Sequence, residues 1–130
     1  MSPEYLNAYF KINEQQANEL PSEFIIVTAF NPEGRDYSPK SNQKFDSDLG
    51  ALIRKKALNA WRVIGGSRDF IHAEPGYAVQ TNLKSGIEIG VQFHQEAIFW
   101  VTQNKLFLVD CDAHQAVPMG DWNSPRQGGV

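Results

Sequence analysis

Cysteine is nearly absent. One residue, Cys111, stands in 130, so no disulfide can close within the chain and a reducing compartment is expected. Long hydrophobic runs are absent too. Nothing approaches the roughly 18 apolar residues that span a bilayer, so no membrane partner is expected. The opening Met1-Ser2-Pro3-Glu4-Tyr5 has neither a basic nor an apolar region of a secretory signal, and the expected location is cytoplasmic. An excess of basic charge is also lacking. Twelve Lys and Arg against fifteen Asp and Glu leave a net charge of −3, which argues against a nucleic-acid partner. Internal repeats and low-complexity tracts do not occur, which excludes solenoids and arrays.

What remains is an ordinary globular composition, 42% hydrophobic and 21% charged. The length suits one domain, and area scaling lets about two-thirds of the unfolded surface be buried. The core needs no metal or disulfide, and no cofactor is implied.

Ser2-Pro3-Glu4 is a helix start, and Tyr5, Leu6, Tyr9 and Phe10 share a face, so a helix is expected over residues 3–11. Phe24 to Phe30 is a continuous apolar, β-branched run that reads as a central strand buried on both faces. Asn31-Pro32-Glu33-Gly34 turns it. Phe45, Leu49, Leu52 and Ile53 form the stripe of an amphipathic helix over 42–57, with Ser41 or Asn42 as cap. Ala60 to Ile64 reads as a strand stopped by Gly65-Gly66. Tyr77 to Val79 reads as another, after a turn at Glu74-Pro75-Gly76. Residues 85–94 alternate like a strand, yet Ser85-x-x-Glu88 is a capping box, and a helix is the preferred reading. Ala97 to Val101 and Leu106 to Val109 form a hairpin through Gln103-Asn104-Lys105.

The fold class is therefore α+β: one mostly antiparallel sheet with helices packed on one face. The middle β-α-β-β-α-β has the order of a ferredoxin-like split. Residues 1–116 form the domain, and 117–130 are expected as a mobile tail onto which Trp122 can dock back.

Four segments then stand out. Thr28-Ala29-Phe30-Asn31-Pro32 closes the buried strand, and Asn42 follows near a helix start. Glu74-Pro75-Gly76-Tyr77-Ala78-Val79 opens a later strand, and Phe93-His94-Gln95-Glu96-Ala97-Ile98-Phe99-Trp100 crosses from a helix into the last hairpin. Together they resemble the bacterial domain-of-unknown-function family numbered 3293 (DUF3293), over about residues 5–110. One position departs. His94 stands where the family pattern shows glycine, so it must accept a positive φ or the helix must end differently. The family carries no assigned activity. The resemblance implies fold boundaries and a residue list, and no chemistry.

Asn31, Asn42, Glu74 and Gln95 are the polar residues of those segments, all at element ends. Amides donate and accept, and a carboxylate accepts or acts as a base. Gathered at one sheet edge, the four would hold a small polar, nucleotide-like ligand. The plainer role for each is local: Asn before Pro at a strand exit, Asn42 as an N-cap, Gln95 on loose backbone. Glu74 is the best catalytic candidate, with His72 on the same face of an extended segment. No nucleophile–base pair identifies an enzyme, and that question stays open. Asp110-Cys111-Asp112-x-His114 holds metal-ligand types at a spacing that matches no zinc or calcium pattern, so no metal site is expected. Cys111 reads as a small buried hydrophobe. Gly65-Gly66-Ser67-Arg68 reads as a plain turn rather than a phosphate loop. The six bases among residues 33–56 read as a solvated face. The rival class is a protein-interaction or regulatory module, or a homodimer, using the aromatic hairpin and the tail.

Overall fold

The computed structural model describes residues 6–122 and 127–128. In chain order it has β1 (Tyr9–Lys11), α1 (Glu14–Ala17), β2 (Glu23–Val27), a 3-10 turn (Pro32–Gly34) and α2 (Pro39–Lys55). Then come β3 (Ala60–Gly66), β4 (Ala73–Val79), α3 (Leu83–Gln92), β5 (Ala97–Thr102), β6 (Lys105–Asp110), β7 (Ala116–Asp121) and β8 (Gln127–Gly128). The strands make one sheet in the order β7-β6-β5-β2-β4-β3-β1-β8. Every pairing is antiparallel except β1 with β8.

The α+β class holds. β2 and β3 are joined through α2 with β4 inserted between them, and β4 and β5 are joined through α3 with β2 between them. The sheet continues past these four strands. It gains β6 and β7 at one edge and β1 and β8 at the other, and it curls until Phe10 of β1 meets Phe99 of β5 edge to face, 4.9 Å between ring centres.

The period of two along β2 explains why the run is apolar throughout. Ile25 and Val27 face α2 and α3, packing with Leu49, Ile53, Ile87 and Ile89. Phe24 and Ile26 face into the curl, packing with Phe10, Val63, Leu106, Leu108 and Trp122. The α2 stripe lies as its spacing predicts, with Leu49 and Ile53 buried and Phe45 and Leu52 against them. α3 lies close to the sheet because Gly86 has no side chain; a Cβ there would stand 2.6 Å from Ile25. The β5–β6 hairpin turns on Gln103 (φ 48°) and Asn104 (φ 64°), the two left-handed positions of a type I′ turn.

Five expectations change. Residues 9–11 are a strand rather than the end of a helix, because Phe10 is spent on the curl core and pairs opposite Gly65. α2 starts earlier and is capped by Ser38, whose Oγ accepts from the Ser41 amide. α3 likewise starts before Ser85, at Leu83, with Asn82 as cap. Gly65-Gly66 and Glu74-Pro75-Gly76 lie inside β3 and β4. Proline is tolerated there because β4 pairs at Pro75 with β3 while its pairing with β2 runs only from Tyr77 to Val79. Val117 to Asp121, expected in the tail, form most of β7. Trp122 is buried at 5% exposure, its ring 5.6 Å from that of Phe10 and 5.4 Å from that of Phe24. The rest of the expected tail, apart from β8, lies outside the described residues, as do residues 1–5 of the expected first helix.

Candidate functional site

The chain leaves β2 along Thr28-Ala29-Phe30 and reverses at Asn31, which is left-handed at φ 49°, ψ 59°. Asparagine tolerates that region better than most residues. Glu33 (φ 59°) and His94 (φ 56°) are left-handed as well, and the Glu33 amide donates to the His94 carbonyl at 2.7 Å. His94 therefore accepts the positive φ that glycine would take freely. Such residues cost of order 1–3 kcal/mol each and persist only where their surroundings hold them.

What holds them is a clamp on one peptide group. Gln95 Nε2 donates to the Phe30 carbonyl at 3.2 Å and to the Phe93 carbonyl at 3.2 Å. The N–H of that same Phe30–Asn31 peptide donates to Asn42 Oδ1 at 2.8 Å. Asn42 Nδ2 returns to Asn31 Oδ1 at 3.0 Å and reaches the Tyr37 carbonyl at 3.4 Å. Asn31 Oδ1 also accepts from the Tyr37 amide at 3.0 Å. Thr28 Oγ1 donates to the Pro75 carbonyl at 2.9 Å and accepts from the Phe30 amide at 3.1 Å. Asn42 is the buried polar residue of the described core, at 5% exposure, and these bonds explain why burial is tolerated.

Glu74 behaves differently. It lies near the start of β4, half-buried, opposite Gly65 of β3, which offers no side chain. Asn31 Nδ2 approaches its Oε2 at 3.5 Å, the limit of a hydrogen bond. Burial pushes the carboxyl above its ordinary value of 4.5, and the Asn31 amide and Thr28 hydroxyl pull it part of the way back. Among the described residues no cationic side chain pairs with it. His72 is exposed in the turn before β4, and the groups acting on Glu74 are Asn31 and Thr28 rather than His72.

The structure thus brings all four residues to one place: Asn42 and Gln95 grip the two ends of one peptide group, and Asn31 links it to Glu74. Thr28 and Tyr37 complete the frame. Thr28 stood in the quoted strand exit without being singled out, and Tyr37 contributes only backbone, which no side-chain pattern reveals. Depressions of about 530 Å³, lined by Leu83, Lys84, Ile87, Glu88, Val91 and His114, and about 280 Å³, lined by Lys56, Leu58, Thr81, Ser85, Glu88 and Ile89, flank α3. Neither is lined by the four residues.

A family model described as "Protein of unknown function (DUF3293)" matches residues 27–98, more than half of the chain. The chain belongs to this family. No curated protein and no solved structure matches it. The DUF3293 span runs from Val27 to Ile98 and contains the whole clamp and Glu74, while β6, β7 and Trp122 lie beyond it.

The remaining flagged residues have local tasks. Asp110 accepts from the Asp112 and Ala113 amides at 2.7 and 2.8 Å, which closes the turn and holds its carboxyl below the usual range. Cys111 is buried, and its thiol is pushed up to about 11. Among the described residues no group of three metal-ligand side chains gathers. Of the bases in 33–56, Lys44 pairs with Asp48 on the same helix face. Trp100 and Phe107 are half-buried with ring centres 5.1 Å apart, and Trp100 Nε1 donates to Glu23 at 3.1 Å.

Proposed function

We propose that this DUF3293 chain binds a small polar ligand at the end of the sheet where β2 exits and β4 enters. Glu74 is the recognising group, and Asn31, Asn42, Gln95 and Thr28 are the frame that positions it. One observation carries this reading. Asn42 and Gln95 hold one peptide from both ends, whereas Glu74 is a half-buried carboxylate supported by a 3.5 Å bond from Asn31 and a Thr28 hydroxyl that also serves the Pro75 carbonyl. Buried charges are normally paired or firmly hydrogen-bonded, and a ligand with N–H or O–H donors gives this carboxylate what its neighbours do not.

A thermal-shift panel of nucleotides, sugars, amino acids and divalent metals tests the reading on the full chain. A ligand at 100 times its Kd adds about 2.7 kcal/mol of stability, several degrees in Tm at this size. The expected result is at least one hit that Glu74→Gln abolishes while the variant stays folded. A flat panel, or hits indifferent to that substitution, overturns it.

A further inference from the structure

Resting on that reading, we infer that the group recognised at Glu74 is a planar N–C–N edge carrying two adjacent N–H donors, as in a guanidinium or in the N1–H and N2–H face of guanine. The first argument is the number of free acceptor sites. An ionised carboxylate has two oxygens and about four acceptor directions. Here Oε2 takes one long bond from Asn31, and the Thr28 hydroxyl divides its single proton between the Pro75 carbonyl and the carboxyl. Both oxygens thus keep acceptor capacity side by side, the arrangement that a two-pronged donor fills with parallel bonds.

The second argument is shape. Directly opposed residues of an antiparallel pair put their side chains on the same face, and Glu74 is opposed by Gly65. That flank is bare backbone, closed from behind by the Phe10 ring, which is 1% exposed and belongs to the core. A flat, weakly hydrated group can lie along a flank of bare backbone, whereas a compact ammonium keeps its hydration and gains less there. The third argument is charge. The chain carries a net charge of −3 and, among the described residues, no cation pairs with Glu74, so neither repels a cation and the carboxylate favours one.

Calorimetric titration of the full chain at pH 7.5 decides it, with agmatine and guanosine as fork-bearing probes and putrescine and adenosine as controls without the fork. The inference expects agmatine or guanosine to bind, putrescine and adenosine to bind at least tenfold more weakly, and Glu74→Gln to weaken the fork-bearing probe at least tenfold. Glu74→Asp, which keeps the charge but withdraws it by one methylene, should fall between and guards against a Gln variant that folds poorly. Agmatine alone would identify the edge as guanidinium, guanosine alone as a base. Putrescine matching agmatine would overturn the planar edge in favour of a simple cation. If neither fork binds while a sugar, carboxylic acid or other panel compound binds in a Glu74-dependent manner, the inference fails and the site stands. If nothing binds, both fail.

Discussion

The Phe30–Asn31 peptide and the Glu74 carboxylate are neighbours joined through Asn31, yet they are treated in opposite ways. The peptide is held from both ends at 3.2 and 2.8 Å by side chains with further bonds of their own. The carboxylate receives one amide at 3.5 Å and a Thr28 hydroxyl it shares with the Pro75 carbonyl, and it is half-buried with no cation paired to it among the described residues. Rigid support beside an under-bonded charge is the distribution expected of a site in which some residues maintain shape and another meets the ligand. The same amide and carboxylate residue types are therefore assigned to two jobs by bond length and burial, not by identity.

Substitutions separate the jobs most sharply on the clamp side. Asn42→Ala leaves the Asn31 amide and the Tyr37 carbonyl without their partner and should cost about 2 kcal/mol, roughly 6–8 °C in Tm by calorimetry. A loss under 1 °C would show that the clamp is not holding the turn.

Asn31→Asp keeps the Oδ acceptor for Tyr37 and replaces the Nδ2 donor by a second carboxylate oxygen beside Glu74. It should destabilise by about 1–2 kcal/mol at pH 7, and by less at pH 4.5 where one carboxyl of the pair is protonated. Denaturant melts at the two pH values measure the difference, and an equal loss at both would remove Glu74 from the neighbourhood of Asn31. Gln95→Ala frees the Phe30 carbonyl, which water can reach in part, and should cost about 1 kcal/mol. Urea midpoints at constant slope would report it.

Glu74→Gln is expected to move stability least, and upward. A carboxyl whose folded pKa exceeds its unfolded value releases its proton first in the unfolded state. Stability falls as pH rises from near 4.5 to the folded pKa and is then level. The variant lacks that loss, so its Tm should equal or exceed that of the natural chain at pH 7, and its advantage should shrink as pH falls through the folded pKa. A variant markedly less stable at pH 7 would make Glu74 part of the frame.

Much of this was legible in the residues. FIIVT announces a strand buried on both faces, because only that environment accepts five apolar or β-branched residues in a row. The α2 stripe and the Gln103-Asn104 turn follow from periods and φ preferences. The four polar residues were legible as a group, since their segments all sit at element ends. The division of labour among them was not, because it depends on which side chain meets the Phe30–Asn31 peptide across 11 and 65 positions of sequence. β1 misled for a related reason. A good helix start followed by a helical spacing of Tyr9 and Phe10 is overridden when curling of the sheet gives Phe10 a better burial against Phe99 and Trp122. β7 misled because Pro118 and Gly120 mimic a loose tail, although an edge strand tolerates both.

The measurement closest to the central claim is the titration of the Glu74 side-chain carboxyl by carbon-detected nuclear magnetic resonance, with Glu74→Gln to assign the signal. The account predicts a midpoint above the ordinary 4.5 in the free chain, falling when a guanidinium or guanine probe is added. A midpoint at or below 4.5 would mean that the carboxylate is already solvated or paired, and would contradict the assignment of Glu74 as the group that meets the ligand.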